Sequence, residues 1–337
     1  MTIWIISFTL RGAHLAARLA GRLPEARAFT MARYAAGTGT EPVEELALWC
    51  RTAWEQAQGL IFVGAAGIAV RSVAPLLRKK TTDPAVVVID EAGRFAVSLV
   101  PGHVGGANEL ARQVAQCLDA VAVVTTATDV NQKFAVDVFA EKNRMVIHSM
   151  AKAKEISAAV LAGHPVGLHT RLPLCGSLPP ELTPGRVQRE NIEIGYCAQY
   201  ADSLLLIPRS IYLGIGCRRG TGAAEIAEAV ESALSAGGLP RCALAGAASI
   251  DLKMGESGLL EWARGEQLSL SFYSAETLQT APGCFSGSEF VKTVTGVDNV
   301  CERAAVLAAG GGRLICSKQA FGGVTVAAAE KEMRIVL

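Results

Sequence analysis

No Cys-x-x-Cys pair occurs in this chain although it carries nine cysteines, which removes both a structural zinc ribbon and a redox dithiol. The cysteines are expected to be reduced, and most of them buried as small hydrophobes. Long apolar runs are also missing. The longest, GLIFVGAAGIAV from Gly59 to Val70, stops at Arg71, well short of the roughly 20 residues that a bilayer-spanning helix needs. The N-terminus MTIWIISFTLRGAHLA lacks a basic stretch ahead of its apolar residues and lacks a cleavage site after them. It is expected to form a buried first strand rather than a signal peptide, and the protein to stay in the cytoplasm. Charge of either sign is not in excess, with 32 Lys and Arg against 31 Asp and Glu. Such a balance offers no general field to nucleic acid or to an anionic membrane, so neither is expected as a partner and any anion must be recognised locally.

What is present is a long apolar chain: half of its 337 residues are hydrophobic, more than one ordinary core usually holds, so two domains are expected. Short β-rich runs alternate with helical patterns from the start. IWIISFT and GLIFVGA read as strands, RGAHLAARLAGRL and GIAVRSVAPLL as helices. Continuous apolar strands between amphipathic helices predict an α/β layered fold, with a sheet covered on both faces. AVVVIDEAGRFAVSLV breaks the alternation, because two strand-like runs meet at a turn containing Gly93. That is a hairpin pattern, so the sheets are expected to be mixed but mainly parallel. From about Met150 to Ser210 the texture changes, with one helical piece, one short strand (PVGLHT) and the Pro- and Gly-rich run RLPLCGSLPPELTPGRV. The alternation resumes at Ile211. The chain is therefore divided into an N-terminal α/β domain (1–140), a small middle module and linker (141–210) and a C-terminal α/β domain (211–337).

Three strand-to-helix junctions carry residues that packing does not explain. In FVGAAGIAVRSVAP, Gly64 and Gly67 free the backbone at a strand end, and a helix start there would turn its unpaired N–H groups toward an anion. Arg71 is expected one turn into that helix; equally, the glycines serve helix-to-sheet packing and Arg71 is solvated. The second junction is VSLVPGHVGGANELARQVA, residues 97–115. Pro101 and Gly102 end the strand, His103 is presented on the loop, and Gly105 and Gly106 open the way to a helix start. Positions 107, 110, 111, 114 and 118 share one helix face, which leaves Asn108 on the flank and Glu109 opposite. Histidine suits proton transfer near neutrality and the adjacent N–H groups suit an oxyanion. The bland alternative is a hydrogen-bonded loop histidine and a glutamate that complements the helix dipole. Ligands of open α/β sheets sit outside strand carboxyl ends, so these two junctions are expected to border one cleft. The third junction is YLGIGCRRGTGAAEI. Its Gly214-x-Gly216-x-x-x-Gly220 spacing is one residue too long for a dinucleotide fingerprint and lacks a P-loop ending. Arg218 and Arg219 before a helix opening with Thr221 suit carboxylates or phosphates; alternatively Thr221 caps the helix and the arginines are solvated. Asp251 and Lys253 in SIDLKMGESGL, and Lys318 before a hairpin pattern, read as surface ions.

GAAGIAVRSVAPLL, TTDPAVVVIDEAGRFAVSLVPGHVGGANELA, TTATDVNQKFAVDVFA, LGIGCRRGT, IDLKMGESGLLEWA and SEFVKTVTGVDNVCERAA together resemble the cobalt-precorrin-5A hydrolases of anaerobic cobalamin biosynthesis. The resemblance spans nearly the whole chain and is thinnest over 140–210. It departs at Pro101, where the family's run has Ser; no serine nucleophile is available there, which favours water. The C-terminal half also resembles free-standing small proteins of the aerobic cobalamin pathway. The resemblance implies an enzyme, a carbon–carbon bond hydrolase that opens the ring A δ-lactone of cobalt-precorrin-5A, releases acetaldehyde and gives cobalt-precorrin-5B. It implies no cofactor and no metal site of the protein's own, because cobalt arrives within the substrate. On that footing His103, assisted by Glu109, is the expected base, and Asn108 the oxyanion donor. Gly64, Gly67, Arg71, Gly105, Gly106, Gly216, Arg218, Arg219 and Thr221 are the expected contacts to the polycarboxylate macrocycle. The alternative is a non-catalytic tetrapyrrole carrier or scaffold of the same pathway. Homo-oligomerisation, and transient contact with other enzymes of the pathway, stay open.

Overall fold

Strand β1 (Ile3–Ser7, IWIIS) is buried along its whole length because helices cover both of its faces. Ile3 and Ile5 pack with Leu15, Leu110 and Val114 on one side, while Trp4 and Ile6 pack with Phe29, Trp49 and Phe62 on the other. Each such side chain contributes roughly 2 kcal/mol by leaving water. The computed structural model describes residues 1–79, 82–102 and 105–337, in two units, Met1–Val138 and Phe139–Leu337. Among the described residues no helix is long and apolar enough to cross a membrane.

In the first unit β1 is followed by α1 (Leu10–Ala20), β2 (Ala26–Met31), β3 (Glu41–Val43), α2 (Leu46–Gln56), β4 (Gly59–Val63), α3 (Ala66–Val73), β5 (Ala85–Ile89), β6 (Phe95–Val100), α4 (Ala107–Leu118), β7 (Val121–Val123) and α5 (Ala127–Val130). The strands form one sheet in the order β3-β2-β1-β4-β5-β6-β7. All neighbours are parallel except β5 and β6, the hairpin expected at Gly93, which sits in the turn with φ +70°. The chain runs outward from β1 through β2 to β3, then crosses back to β4 and β5. The strand order therefore reverses between β1 and β4, and a crevice outside their carboxyl ends is the usual ligand position in such sheets.

Helix α6 (Val136–Lys142) carries the division between the units. The second unit continues with β8 (Met145–Ile147), α7 (Met150–Leu161), β9 (Val166–Thr170), β10 (Leu174–Cys175), β11 (Leu182–Pro184), β12 (Glu190–Ile194) and β13 (Leu204–Pro208). Then come β14 (Ile211–Cys217), α8 (Ala223–Gly237), β15 (Leu244–Ile250), α9 (Ser257–Gly265), β16 (Leu270–Tyr273), α10 (Ala275–Gln279), α11 (Glu289–Thr295), α12 (Cys301–Ala308), β17 (Arg313–Phe321), β18 (Val324–Glu330) and β19 (Ile335–Val336). Two five-stranded sheets result, β11-β9-β12-β13-β8 and β16-β15-β14-β18-β17, with β10 and β19 paired apart. The Pro- and Gly-rich run read as connecting chain thus contains strands β10 and β11. Gly214 explains how α12 lies so close to β14: a Cβ there would stand 1.7 Å from the Cys301 carbonyl oxygen. The cysteines are all free, but only Cys50, Cys301 and Cys316 are buried, while Cys197 and Cys284 are exposed. The expectation that most are buried fails because several occupy strand and helix ends rather than core faces.

Candidate functional site

Strand direction decides which junctions can share a ligand. β1, β2, β4 and β5 end at one edge of the first sheet, and Gly64 and Gly67 lie there, at the reversal between β1 and β4. β6 runs the other way, with Val100 beside Val86 at the start of β5. The Pro101–Asn108 segment therefore leaves the opposite edge, separated from Gly64 by the roughly 15 Å length of a five-residue strand. The expectation of one cleft bordered by both junctions is corrected accordingly: the antiparallel hairpin sends them to opposite ends.

At the first edge, Gly64 has φ +154°, and a Cβ on it would come within 3.0 Å of the Phe8 ring. Ala65, the residue before α3, offers no capping side chain, and Gly67 is exposed with open space where a Cβ would project. The backbone N–H groups of this helix start are thus approachable. Arg71 lies about one turn into α3, exposed, and because the helix ends at Val73 that is also its last turn. A cation there complements the carbonyl end of the helix rather than the anion-facing end.

At the second edge, His103 lies outside the described residues. The residues around it are firmly tied. Ala107 and Asn108 donate their backbone N–H groups to the carbonyls of Pro101 (3.1 Å) and Gly102 (3.0 Å), folding the loop back on the start of α4. Gly105 is required for this, since a Cβ on it would stand 2.3 Å from Cγ of Pro101. Gly106 takes φ +75° as the residue before the helix. Asn108 is 4% exposed and fully engaged. Its Oδ1 accepts from Ser98 Oγ at 2.7 Å, and its Nδ2 donates to Thr126 Oγ1 at 2.8 Å and to Asp129 Oδ2 at 3.0 Å. With both amide hydrogens committed, Asn108 fastens β6, α4 and the segment after β7 together instead of standing free to donate to an oxyanion. Asp129 in turn pairs with Arg112, which also reaches Glu109 at 3.7 Å. The Glu109 side chain remains 64% exposed in the first turn, open to solvent and to a ligand alike.

The third junction lies at the edge of the second unit where β14, β15 and β16 end and the β17–β18 hairpin turns. Gly216 belongs to packing: a Cβ would stand 2.6 Å from Thr325 Oγ1 on β18. Arg218 and Arg219 are exposed beyond β14. Thr221 does not cap α8. Its hydroxyl donates to the Arg218 carbonyl at 2.9 Å, and Gly222 takes the cap position. The sequence reading missed the pair beside them. Lys253 Nζ lies 3.0 Å from Glu256 Oε1, with side chains only 19% and 13% exposed, and Glu256 Oε2 accepts the Gly220 N–H at 2.9 Å. That backbone bond, followed by Lys253, holds the Glu256 carboxyl below the ordinary glutamate range. Its signal was present as Lys253 and Glu256 three residues apart after a strand end, but the partner Gly220 is far away in sequence. Nearby, Glu302 is 2% exposed and accepts from the backbone of Lys318 at 2.7 Å and from Asn299 Nδ2 at 2.6 Å. It thereby fixes the bulge in β17 from which Lys318 projects. The edge thus presents the exposed Arg218 and Arg219 beside Lys253, which is paired with Glu256, while Glu302 is committed to the backbone of β17; the two arginines are suited to binding an anion.

Comparison with known proteins adds a family. Models described as Cobalamin synthesis G N-terminal, Cobalamin biosynthesis central region and Cobalamin synthesis G C-terminus match residues 49–129, 134–206 and 211–329. The chain is 35% identical over 326 residues to the cobalt-precorrin-5A hydrolase of Salmonella typhimurium, covering 91% of each protein. It is 30% identical over 351 residues to the protein of that name from Priestia megaterium, covering 96% of this chain and 94% of the relative. A shorter match, 36% identical over 101 residues, is to Protein CobE of a Sinorhizobium species and covers 30% of this chain and 66% of that protein.

Proposed function

The chain belongs to the cobalt-precorrin-5A hydrolase family, and from that premise we infer that it hydrolyses the ring A δ-lactone of cobalt-precorrin-5A, releasing acetaldehyde and giving cobalt-precorrin-5B, in the cytoplasm. The observation that carries this inference is the near full-length identity to two proteins of that name. In the reaction, water adds to the lactone carbonyl, and the ring C–O bond breaks to leave a carboxylate and a hydroxyl. Loss of the hydroxyl proton drives a retro-aldol cleavage: the C–C bond breaks, acetaldehyde leaves, and the electron pair passes into the tetrapyrrole, where protonation completes the balance. The macrocycle is the electron sink, so the protein's tasks are to bind, orient and move protons. Cobalt enters as part of the substrate, and no cofactor of the protein's own is invoked.

His103 is assigned as the base that deprotonates the attacking water, with Glu109 accessible at the same helix start to assist. The loop N–H groups at Gly105 and Gly106 are assigned to the oxyanion. Asn108 acts one step back, as the positioning residue that holds the start of α4 against β6 and α5. The N–H groups around Gly67 in the first unit, and separately Arg218, Arg219 and Lys253 in the second, are each assigned as a local element that recognises an anion. The test is acetaldehyde release from cobalt-precorrin-5A by the purified chain and by a folded His103→Ala variant. Release by the wild type and its loss in the variant are expected. Equal release by both would remove His103 from the chemistry, and no release by either would favour the carrier alternative.

A further inference from the structure

A cavity of about 970 Å3 opens in the second unit, away from every residue assigned above. It lies at the carboxyl ends of β9 and β12 and faces the beginning of β17 and the end of β18. Because Ile211 pairs with Glu330 and Cys217 with Val324, this is the opposite end of β14 from Arg218 and Arg219, roughly 20 Å away along a seven-residue strand. Single-ligand pockets span roughly 300–1,000 Å3, so this cavity is at the size of a large ring rather than of a two-carbon product or a simple acid.

Its walls combine apolar surface with a few charged side chains. Leu168, Leu172, Ile194 and Ile315 contribute the apolar lining, and the rings of His169 and Tyr200 pack on one another there, centroids 4.4 Å apart and tilted by 41°. Two carboxylates line the wall, and both already have partners within the protein. Glu193 accepts from the backbone of Gln199 (2.7 Å) and Tyr200 (2.9 Å) and from the Ser203 hydroxyl. Burial pushes its carboxyl up, but these hydrogen bonds more than reverse that and hold it below the usual range. Glu330 accepts the Tyr196 hydroxyl at 2.6 Å and pairs with Arg313 at 3.1 Å. Against these internally satisfied groups, Arg171 is exposed at the rim and forms no ion pair among the described residues.

We propose that this cavity is a tetrapyrrole-holding site, which takes a carboxylate-bearing macrocycle against its apolar lining and the His169–Tyr200 ring pair, with Arg171 on a carboxylate arm. The choice of ring rests on the function inferred above; the existence of the cavity does not. Gly195 offers a clean obstruction. It lines the cavity, and a Cβ on it would meet nothing closer than the Cys197 carbonyl oxygen at 3.9 Å.

The full chain is titrated with cobyrinic acid, a cobalt corrin with free carboxylate arms, by equilibrium dialysis, in parallel with the acetaldehyde assay. Gly195→Trp and Arg171→Glu are each expected to raise Kd at least tenfold without lowering the thermal midpoint. The Arg171 change, at an exposed rim position, keeps the test valid if the tryptophan disturbs folding. If both folded variants bind as the wild type does while the wild type releases acetaldehyde, the cavity proposal is overturned and the hydrolase inference stands. If the variants lose corrin binding while the wild type releases no acetaldehyde, the cavity stands and the hydrolase inference fails. A wild type that neither binds the corrin nor releases acetaldehyde overturns both.

Discussion

Replacing Asn108 by alanine tests whether a single buried amide holds the start of α4 against β6 and α5. The side chain makes three hydrogen bonds, to Ser98, Thr126 and the carboxylate of Asp129. Two neutral bonds are worth about 1 kcal/mol each and the charged one about 1.5–3 kcal/mol. The half-buried partners recover some hydration once the amide is gone, and alanine gains about 0.6 kcal/mol of helix propensity in α4. A net loss of about 3 kcal/mol follows. With a urea slope of about 2 kcal/mol/M, the midpoint of the first unit should fall by about 1.5 M. Fluorescence reports mainly on that unit, because Trp4, Trp49 and Trp54 lie in it and only Trp262 lies in the second. Acetaldehyde release should fall in the same variant under conditions where it remains folded. A midpoint shift below about 0.5 M would refute the reasoning, since the three bonds would then be exchanging freely with water.

Two further perturbations probe the second unit. Gly214→Ala places a methyl 1.7 Å from a backbone oxygen of Cys301 and 2.7 Å from the Ala305 nitrogen, so α12 must move as a body. The expected loss exceeds the ~1–3 kcal/mol of ordinary overpacking, and an unchanged melting midpoint would contradict the close approach of α12 to β14. Glu256→Gln removes a carboxylate whose folded pKa is lowered by the Gly220 N–H and by Lys253. A lowered folded value means stability that is present above the ordinary glutamate pKa of about 4.3 and is lost as pH falls through the folded value. The gap in melting temperature between wild type and variant should therefore be open at pH 7 and close as pH drops below about 4. A gap that stays constant over that range would show that the ion is not what stabilises the edge.

How far the sequence carried is best seen at Gly93. The turn residue and its two flanking runs announced a hairpin, and β5 and β6 pair as one. Local pattern could do this because both strands and their turn lie within 16 residues, Ala85–Val100. What the pattern did not expose was the consequence that one antiparallel step moves the next strand end to the far edge of the sheet. Direction is a property of the whole strand order, and that order is set by contacts such as Ile3 with Gly59, distant in the chain. The same limit explains β2, β3 and α2, which were not read: ARAFTM and the Pro-containing EPV carry little continuous apolar signal, and their place beside β1 supplies what propensity does not. At the candidate site, residue types were legible and their commitments were not. Asn108 stood out as a polar residue at a helix start, which fits a donor to a ligand and a donor to the protein equally well. Its partners, 10, 18 and 21 residues away, decide the matter, and they are brought to it by the parallel pairing of β6 with β7. Lys253 gives the converse case. Alone it resembles any surface lysine, and its burial against Glu256 depends on a backbone N–H 36 residues before that carboxylate. In both places the chemistry is local but the reason that a side chain is free or spent is long-range, so a functional assignment from sequence has to name the residue's competitors inside the fold before it names the ligand.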